Sequence, residues 1–343
     1  MSSRSLAQAF AGRMQIGCAV GGTLPRSLDA VETELVASQF NVLTPENCMK
    51  AGLIQPERGK FDFGAPDALV DFARQRGAQV VGHTLVWHSQ APLWMFKPGT
   101  SRELALGEMR EHIHAVAGRY RGKLQGWDVV NEAITDDGDF LRETPALAAI
   151  GADYLQKAFE FAQEADPGVE LYYNDYDIER PAKRERTLRL LRELQASGVR
   201  LDGVGIQGHW QLDQVPFDEI ERAIDAYSAL GLKVMITELD VDVVRRQNSG
   251  ADLAARPVTV DFDPYREGCP EDVLDRQAEQ YARLFEIFLK RPVTRVTFWG
   301  PHDGYSWLNY WPSRRTNYPL LFDRKSQGKP ALARILDVAA RAR

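Results

Sequence analysis

The sequence has little cysteine and no block of basic residues. Its three cysteines, Cys18, Cys48 and Cys269, lie far apart and show no C-x-x-C spacing. This pattern argues against a zinc site or a disulfide framework, so we expect the thiols to behave as small buried side chains. The formal net charge is −6, and the basic surface that nucleic acid binding requires is missing. We therefore expect no nucleic acid partner.

Long apolar runs, a signal-type N-terminal segment and one common catalytic motif are also missing. No stretch approaches the roughly 18 apolar residues that suggest a membrane span, and we expect no membrane association. The N-terminal MSSRSLAQAF has no signal-type apolar core. No G-x-S-x-G elbow, which would position a serine nucleophile, occurs in the chain.

Short β-branched runs instead alternate with amphipathic stretches along the whole chain. We predict strands at 14–20, 40–43, 80–86, 124–130, 170–174, 203–207, 233–237 and 293–299. The predicted helices include 101–120, 180–197, 216–230, 270–291 and 329–342. The first of these helices carries apolar residues at helical spacing, and Thr100 with Glu103 predicts a capping box at its start.

Eight strands alternating with eight helices predict an α/β protein, a single (β/α)8 TIM barrel domain over residues 1–343. The alternative is a doubly wound open sheet, but its usual Gly-rich first turn is replaced here by AVGGTLP. One connection, roughly 239–270, is long enough to predict a functional loop.

Polar residues follow most of the predicted strands, where a TIM barrel places its active site. The fourth predicted strand, for example, runs through WDVVNEA into Asn131 and Glu132. Each residue has a structural alternative, since a Trp is often core and Glu46 with Lys50 could be an ordinary ion pair. Together on one rim they predict a functional site: Glu46, Asn47, Lys50, His83, Trp87, His88, Asn131, Glu132, Asn174, Asp175, Tyr176, Gln207, His209, Glu238, Asp240, Trp299 and Trp307.

Glu132 and Glu238 are the pair that suggests a reaction. They end the fourth and seventh predicted strands, so their carboxyl groups can face each other across the barrel mouth. Two such groups among indole rings suit glycoside hydrolysis, in which one carboxyl group is protonated and the other is ionised. Sugar faces stack on tryptophan, while amides and an ammonium group fix hydroxyl positions.

A metal site is the competing interpretation. His83, His88, His209 and Asp240 are ligand types in principle. The one H-x-H pair, His112 and His114, lies on a predicted helix, where residues two apart do not share a face. We expect no metal and no cofactor.

The ordered motifs TPENCMK, GHTLVWH, WDVVNEA, YYNDYD, QGHW, ITELD and TFWG resemble those of the glycoside hydrolase family 10 endo-β-1,4-xylanases, from FAGRMQIG to FDRKSQGKPAL. The resemblance implies endo-acting hydrolysis of xylan or xylo-oligosaccharides with retention of anomeric configuration. Glu132 would be the acid/base and Glu238 the nucleophile. His209 would bond the nucleophile, with Asp240 behind it.

The same resemblance implies where the sugars bind. Asn131 would bond the 2-hydroxyl group of the sugar at the cleavage point, and His83, Trp87 and Gln207 would line the same subsite. The next sugar on the non-reducing side would contact Glu46, Asn47 and Lys50. The remaining implied contacts are the walls of the cleavage subsite, Trp299 and Trp307, and the leaving-group side, Tyr176.

Some features depart from the family pattern or stay open. Asp177 stands where the family often has Asn, and neither His302 nor Cys48 has an assigned role. Another retaining (β/α)8 glycosidase, acting on β-1,4-glucan or galactan, is the nearest alternative, and a non-catalytic carbohydrate-binding barrel is the next. The resemblance implies an extracellular or periplasmic monomer, with the cytoplasm as the alternative because no signal peptide is present in the sequence.

Overall fold

The computed structural model describes residues 5–246 and 262–342. Within these residues, eight parallel strands close into a ring, which confirms the predicted (β/α)8 barrel. A ninth, short strand, β7, extends the ring at its rim. The strands are β1 (Gln15–Val20), β2 (Val42–Pro45), β3 (Gln79–Trp87), β4 (Gly126–Asn131), β5 (Glu170–Asp175), β6 (Gly203–Ile206), β7 (His209–Gln211), β8 (Lys233–Asp242) and β9 (Val293–Phe298).

Eight longer helices alternate with the ring strands in this part of the chain, and three shorter ones (α1, α3 and α6) lie at loops. The helices are α1 (Leu6–Ala9), α2 (Ala30–Gln39), α3 (Ala51–Ile54), α4 (Gly64–Gln75), α5 (Arg102–Arg119), α6 (Pro145–Ile150), α7 (Tyr154–Ala165), α8 (Pro181–Ala196), α9 (Phe217–Ser228), α10 (Glu271–Lys290) and α11 (Pro330–Arg341). No helix among the described residues combines the length and the apolar composition needed to cross a membrane.

Parallel pairings between strands that are distant in sequence close the ring. β1 pairs with both β2 and β9, and β6 pairs with β8, where Gly203 lies opposite Lys233. Because all ring strands run in the same direction, their carboxyl ends meet at one rim. Buried apolar side chains fill the space between strands and helices, and Val42, Val81, Tyr172 and Met235, from four different strands, form a separate small cluster.

Two predicted strand boundaries are wrong. The second strand is Val42–Pro45 rather than 40–43, because Phe40 ends α2 and the side chain of Asn41 accepts a hydrogen bond from the Ile16 N–H at 2.9 Å. The seventh predicted strand, β8, continues to Asp242 instead of ending at 237, because its last residues pair with β7. The predicted loop 239–270 therefore begins later, and its residues 247–261 lie outside the described part of the chain.

The start of α5 also differs from the prediction. Ser101, not Thr100, is the N-cap, and its side chain accepts a hydrogen bond from the Leu104 N–H at 3.3 Å. The N–H of Thr100 is used in a turn, where it donates to the Lys97 carbonyl at 3.0 Å. The helix therefore begins at Arg102, one residue later than the predicted capping box implies.

Candidate active site

Glu132 directly follows β4 at the rim and is only 6% exposed. Its Oε2 accepts a hydrogen bond from the indole Nε1 of Trp87 at 2.8 Å, and its Oε1 accepts one from Gln207 Nε2 at 2.9 Å. Burial, the largest cause, raises the pKa of Glu132, and Glu238 adds to the rise while both neutral donors oppose it. Glu132 is therefore biased toward holding a proton.

The backbone of Glu132 has φ +58°. This left-handed conformation costs a non-glycine residue roughly 1–2 kcal/mol, and such backbone strain concentrates at functional sites. A cavity of about 600 Å³ adjoins Glu132 between the segment after β3 and α6. Its lining is mostly apolar and includes Val86, Met95 and Phe96.

Glu238 lies in β8, two residues beyond the last ring pairing with β6. It was predicted to end its strand, but β8 continues for four more residues. Its Oε1 accepts a hydrogen bond from Asn174 Nδ2 at 2.8 Å, and its Oε2 accepts one from His209 Nε2 at 3.1 Å. Burial acts to raise the pKa of Glu238, but the hydrogen bond from His209, the charges of His83 and His209 and the Asn174 amide outweigh it and lower the pKa.

His209 reaches Glu238 because the extended strand is interrupted at Gln207 and Gly208, between β6 and β7. Gly208 has φ +85° there, in the left-handed region that favours glycine. The imidazole Nδ1 donates to Asp240 Oδ2 at 2.9 Å. Burial acts to lower the pKa of His209, but Asp240 and Glu238 raise it to about 10. The ring is therefore protonated at neutral pH and donates from both nitrogens.

A chain of side-chain amides connects the two carboxyl groups. Asn174 Nδ2 donates to Asn131 Oδ1 at 2.9 Å as well as to Glu238, and Gln207 Nε2 donates to Asn131 Oδ1 at 3.3 Å as well as to Glu132. Gly205 leaves room for this chain, since a Cβ there would lie 2.4 Å from Asn174 Oδ1. The three buried amides thus connect the two carboxyl groups through continuous hydrogen bonds and fix their relative positions.

Two indole rings predicted as walls lie beside His209. The Trp307 Nε1 donates to Asp240 Oδ2 at 2.9 Å, and its ring stacks on Trp311 with centroids 4.8 Å apart. Trp299 is 7% exposed and meets the ring of His83 edge-on at 5.3 Å. These contacts fix the indole planes at the rim.

His83 and Trp87 come from β3, as predicted. His83 Nδ1 donates to Asp128 Oδ2 at 2.9 Å, and both groups are buried. Trp87 remains half-buried, with its ring 4.9 Å from the Lys50 ammonium and its Nε1 on Glu132. Trp87 therefore joins the Glu132 side of the site to the residues that follow β2.

Lys50 lies with Glu46 and Asn47 directly after β2. Its ammonium donates to Asn47 Oδ1 at 3.1 Å and to Gln90 Oε1 at 2.9 Å. Burial, the largest cause, lowers the pKa of Lys50, and Glu238, Glu46 and Glu132 oppose that effect. Burial raises the pKa of Glu46, with Lys50 opposing it.

Tyr176 is placed less favourably for contact with a ligand. It is 2% exposed, and its hydroxyl group donates to Asp136 and accepts from Arg142 Nη2 at 2.7 Å. The ammonium of Lys183 lies 3.6 Å from the centre of its ring. Its polar atom and most of its ring are therefore already occupied.

The structure also brings in residues that have no role in the sequence-based prediction. Asn174 was recognised only as a polar strand end, and Asp128 and Gln90 were not singled out. The available signals were a carboxyl group inside a strand, for Asp128, and a polar residue just after Trp87, for Gln90. None of them indicates its partner, because those partners are 40 to 64 residues away in sequence.

His302 and Cys48 lie apart from this chemistry. His302 is buried, its Nε2 donates to Glu32 Oε1 at 2.9 Å, and its Nδ1 accepts from the Gly304 N–H at 3.1 Å, so it stabilises a turn. Burial raises the pKa of the Cys48 thiol to about 12, which disfavours a nucleophilic role at neutral pH. Across residues 5–246 and 262–342, no three His, Cys, Asp or Glu side chains cluster as a metal site would require.

Comparisons with known proteins agree with this geometry. The family model described as glycosyl hydrolase family 10 matches residues 5–338. A β-1,4-xylanase of Dictyoglomus thermophilum is 43% identical, with 88% of this chain and 83% of the relative covered. Endo-1,4-β-xylanase B of Paenibacillus barcinonensis is 39% identical, with 97% of each covered.

Solved structures give the same result. An endoxylanase of this family from a sugarcane soil metagenome superimposes with a TM-score of 0.93 at 39% identity, covering 97% of this chain and 99% of that one. A xylanase of Thermotoga petrophila in complex with xylobiose gives 0.87 at 34% identity, with 99% and 98% covered. The family model, the relatives and the solved structures thus confirm the family expected from the motifs: the chain belongs to glycosyl hydrolase family 10.

Proposed function

We propose that this glycoside hydrolase cleaves internal β-1,4-xylosidic bonds in xylan and xylo-oligosaccharides by a retaining double displacement. The observation that carries the proposal is the pair of buried carboxyl groups with opposite pKa shifts, raised for Glu132 and lowered for Glu238. The relatives of this chain are xylanases, which supports xylan as the substrate. In this proposal the barrel is the catalytic domain.

In the first step, the ionised Glu238 attacks the anomeric carbon and forms a covalent ester. The bond to the leaving oxygen breaks, and Glu132 donates its proton to that oxygen. In the second step, Glu132 takes a proton from water, the water oxygen attacks the anomeric carbon, and Glu238 leaves as a carboxylate. The protonated His209 supports the first step because its hydrogen bond keeps Glu238 ionised.

Sugar positions follow from the neighbours of this pair. Asn131 would bond the 2-hydroxyl group of the sugar whose bond breaks, while Gln207, His83 and Trp87 line the same subsite beside the walls Trp299 and Trp307. The group after β2 (Glu46, Asn47 and Lys50) would hold the next sugar on the non-reducing side. We leave Tyr176 out of direct sugar contact, because its hydroxyl group is engaged and its ring is covered.

Substrate choice would depend on the rim tryptophans. Xylose lacks the hydroxymethyl arm of glucose, so a close indole wall can exclude glucan by steric contact. Product sizing after incubation with xylan and, in parallel, with carboxymethylcellulose tests this directly. Short and intermediate oligosaccharides from xylan alone are expected, whereas equal action on the glucan would favour the alternative of a broader glycosidase.

Stereochemistry tests the mechanism separately. Proton NMR during early hydrolysis is expected to show the β-anomer first, followed by mutarotation. An initial α-anomer would exclude the double displacement and leave Glu238 without its proposed role.

We further propose a monomer that needs no cofactor or metal and acts outside the cytoplasm, because xylan is a polymer too large to enter a cell. Light scattering of the purified protein tests the monomer. Assays after dialysis against EDTA test the metal, with unchanged activity expected. Activity in the medium or periplasm, rather than the cytosol, of the producing cells tests the location.

A further inference from the structure

The main chain at Glu132 is held from outside its own strand. Its backbone is left-handed, with φ +58°, and the polar main-chain groups from Glu132 onward bond to two other segments, β5 and the segment that contains Arg142. We infer that Arg142 is a positioning residue for proton transfer: it holds the carbonyl group of Glu132 and thereby fixes the direction of the Glu132 carboxyl group. This inference rests on the acid/base role proposed above.

Arg142 contacts the main chain at Glu132 and Ala133 and two nearby side chains. Its Nε donates to the Glu132 carbonyl at 3.2 Å, and its backbone N–H donates to the Ala133 carbonyl at 2.8 Å. Its Nη2 donates to the Tyr176 hydroxyl group at 2.7 Å and to Asp136 at 3.2 Å. The planar guanidinium group therefore joins the main chain at Glu132 to two side chains that are themselves fixed.

Those anchoring groups belong to a charge-balanced cluster in which Lys183 and Asp175 are buried, while Asp136 lies at the surface. Lys183 is 4% exposed and bridges Asp136 and Asp175, with Nζ to carboxyl oxygen distances of 2.8 and 2.9 Å. With Arg142 the cluster holds two cations and two carboxylates. The opposite charges offset one another, and the buried Lys183 connects the partners of Arg142 to β5.

A second contact holds the N–H groups of the same segment, whereas Arg142 holds its carbonyl groups. The Tyr173 hydroxyl group accepts hydrogen bonds from the N–H groups of Ala133 and Ile134 at 3.1 and 3.2 Å, and it donates to Asp175. The carbonyl group of Glu132 is thus bonded to Arg142, while the N–H groups of Ala133 and Ile134 are bonded to Tyr173. Rotation of the peptide unit between Glu132 and Ala133 would break contacts on both sides.

This unit decides where the acid points. The Glu132 carboxyl group lies between the indole donor of Trp87 and the amide donor of Gln207. A backbone that relaxed from the left-handed region would move the Cβ and carry the carboxyl group away from both donors. The Arg142 contacts described above are with the segment after β4, Asp136 and Tyr176, so we expect its loss to leave glycone binding in place.

The consequence is a selective defect in proton transfer. Cleavage of xylotriose releases a sugar, which is a poor leaving group that needs a proton. With Arg142→Gln this cleavage is expected to slow by about tenfold to a hundredfold. That loss is smaller than the roughly 10²- to 10⁴-fold that a full general acid contributes. Glycosylation by 2,4-dinitrophenyl xylobioside needs no proton and is expected to stay within about threefold of wild type. KM for xylotriose should change little while kcat falls.

Azide gives an independent signature. It attacks the anomeric carbon of the glycosyl-enzyme, forms a carbon–nitrogen bond and displaces Glu238 as a carboxylate, without a base. Azide is therefore expected to accelerate turnover of the dinitrophenyl substrate by Arg142→Gln and to yield the β-xylobiosyl azide. A general loss of packing would lower all rates together and would not be rescued.

The experiment compares Arg142→Gln and Arg142→Lys with Glu132→Ala and with Arg334→Gln, a control at an exposed position on α11. If Arg142→Gln folds poorly, Arg142→Lys carries the test, since a single ammonium cannot make both the carbonyl and the hydroxyl contacts. Wild-type leaving-group dependence and no azide rescue in folded Arg142 variants would overturn the inference. If Glu132→Ala also lacks rescue, the proposed acid/base role fails instead, which separates the two outcomes.

Discussion

Glu132 and Glu238 are about equally buried, at 6% and 5% exposed, yet they are held by different kinds of donor. Glu132 receives hydrogen bonds from an indole and two amides, all neutral. Glu238 receives one from an amide and one from the protonated His209. Desolvation is the largest effect on both pKa values, and the hydrogen bond from the charged His209, together with the charge of His83, lowers the pKa of Glu238 while that of Glu132 stays raised.

Removing each carboxyl group in turn is the strongest test of this comparison. Glu238→Ala is expected to lose activity by roughly 10⁴- to 10⁶-fold on every substrate, because no covalent ester can form. Hydrolysis of xylan and of 2,4-dinitrophenyl xylobioside, measured by product release, should fall together. Retained activity on the activated substrate would contradict the nucleophile assignment.

Glu132→Ala should show a different dependence on the substrate. Xylan cleavage is expected to fall by about 10²- to 10⁴-fold, whereas formation of the glycosyl-enzyme from the dinitrophenyl substrate stays near the wild-type rate. Rapid-quench measurement of the dinitrophenolate burst checks this. An equal loss of the glycosylation rate on both substrates would remove Glu132 from the acid role.

Changing the donors should move one limb of the pH profile at a time. His209→Asn removes the cation beside Glu238, so the pKa of Glu238 rises and the acid limb of kcat/KM moves to higher pH. Trp87→Phe removes a donor that lowers the pKa of Glu132, so the alkaline limb is expected to move to higher pH instead. Profiles in which both variants shift the same limb would break the comparison.

The smallest expected effect is on stability. The raised pKa of Glu132 means that its ionised form opposes folding at neutral pH, so Glu132→Gln should raise Tm at pH 7 by about 1–3 °C. Glu238 has a lowered pKa, and its contribution to stability is present above the unfolded pKa and lost as pH falls through the folded value. Glu238→Gln should therefore lower Tm at pH 7 by a similar amount, as calorimetry can check.

The pH dependence of these Tm differences is their control. Below about pH 4, near the pKa of carboxyl groups in the unfolded chain, Glu132→Gln should match wild type because both side chains are uncharged. The Glu238→Gln difference should persist to lower pH, because the folded-state pKa of Glu238 is depressed. Identical pH dependence in the two variants would contradict their different environments.

The sequence predicted the barrel because strand and helix periodicities are local and repeat eight times. It placed the start of β3, β5, β6, β8 and β9 within a residue. It failed at β2 and at the far end of β8, where long-range pairing decides the boundary. β7 was missed because three residues carry too short a pattern.

The site was predictable as a set of polar strand ends, and the family resemblance supplied roles that local patterns do not contain. The partners could not be predicted, since a carboxyl group such as Asp136 gives no local sign that Lys183 will lie beside it. Burial was also invisible in the sequence. Tyr176 looked like a rim residue, and only its packing shows that Arg142 and Lys183 cover it.

The direction of the amide chain restricts which substitutions the barrel tolerates. Asn174 gives its NH₂ hydrogens to Asn131 and Glu238, and its oxygen accepts from the hydroxyl group of Thr237. An aspartate has the same shape but would place an oxygen against Glu238. Two side chains of equal size are thus far from interchangeable here, and a substitution scale based on volume would misjudge this position.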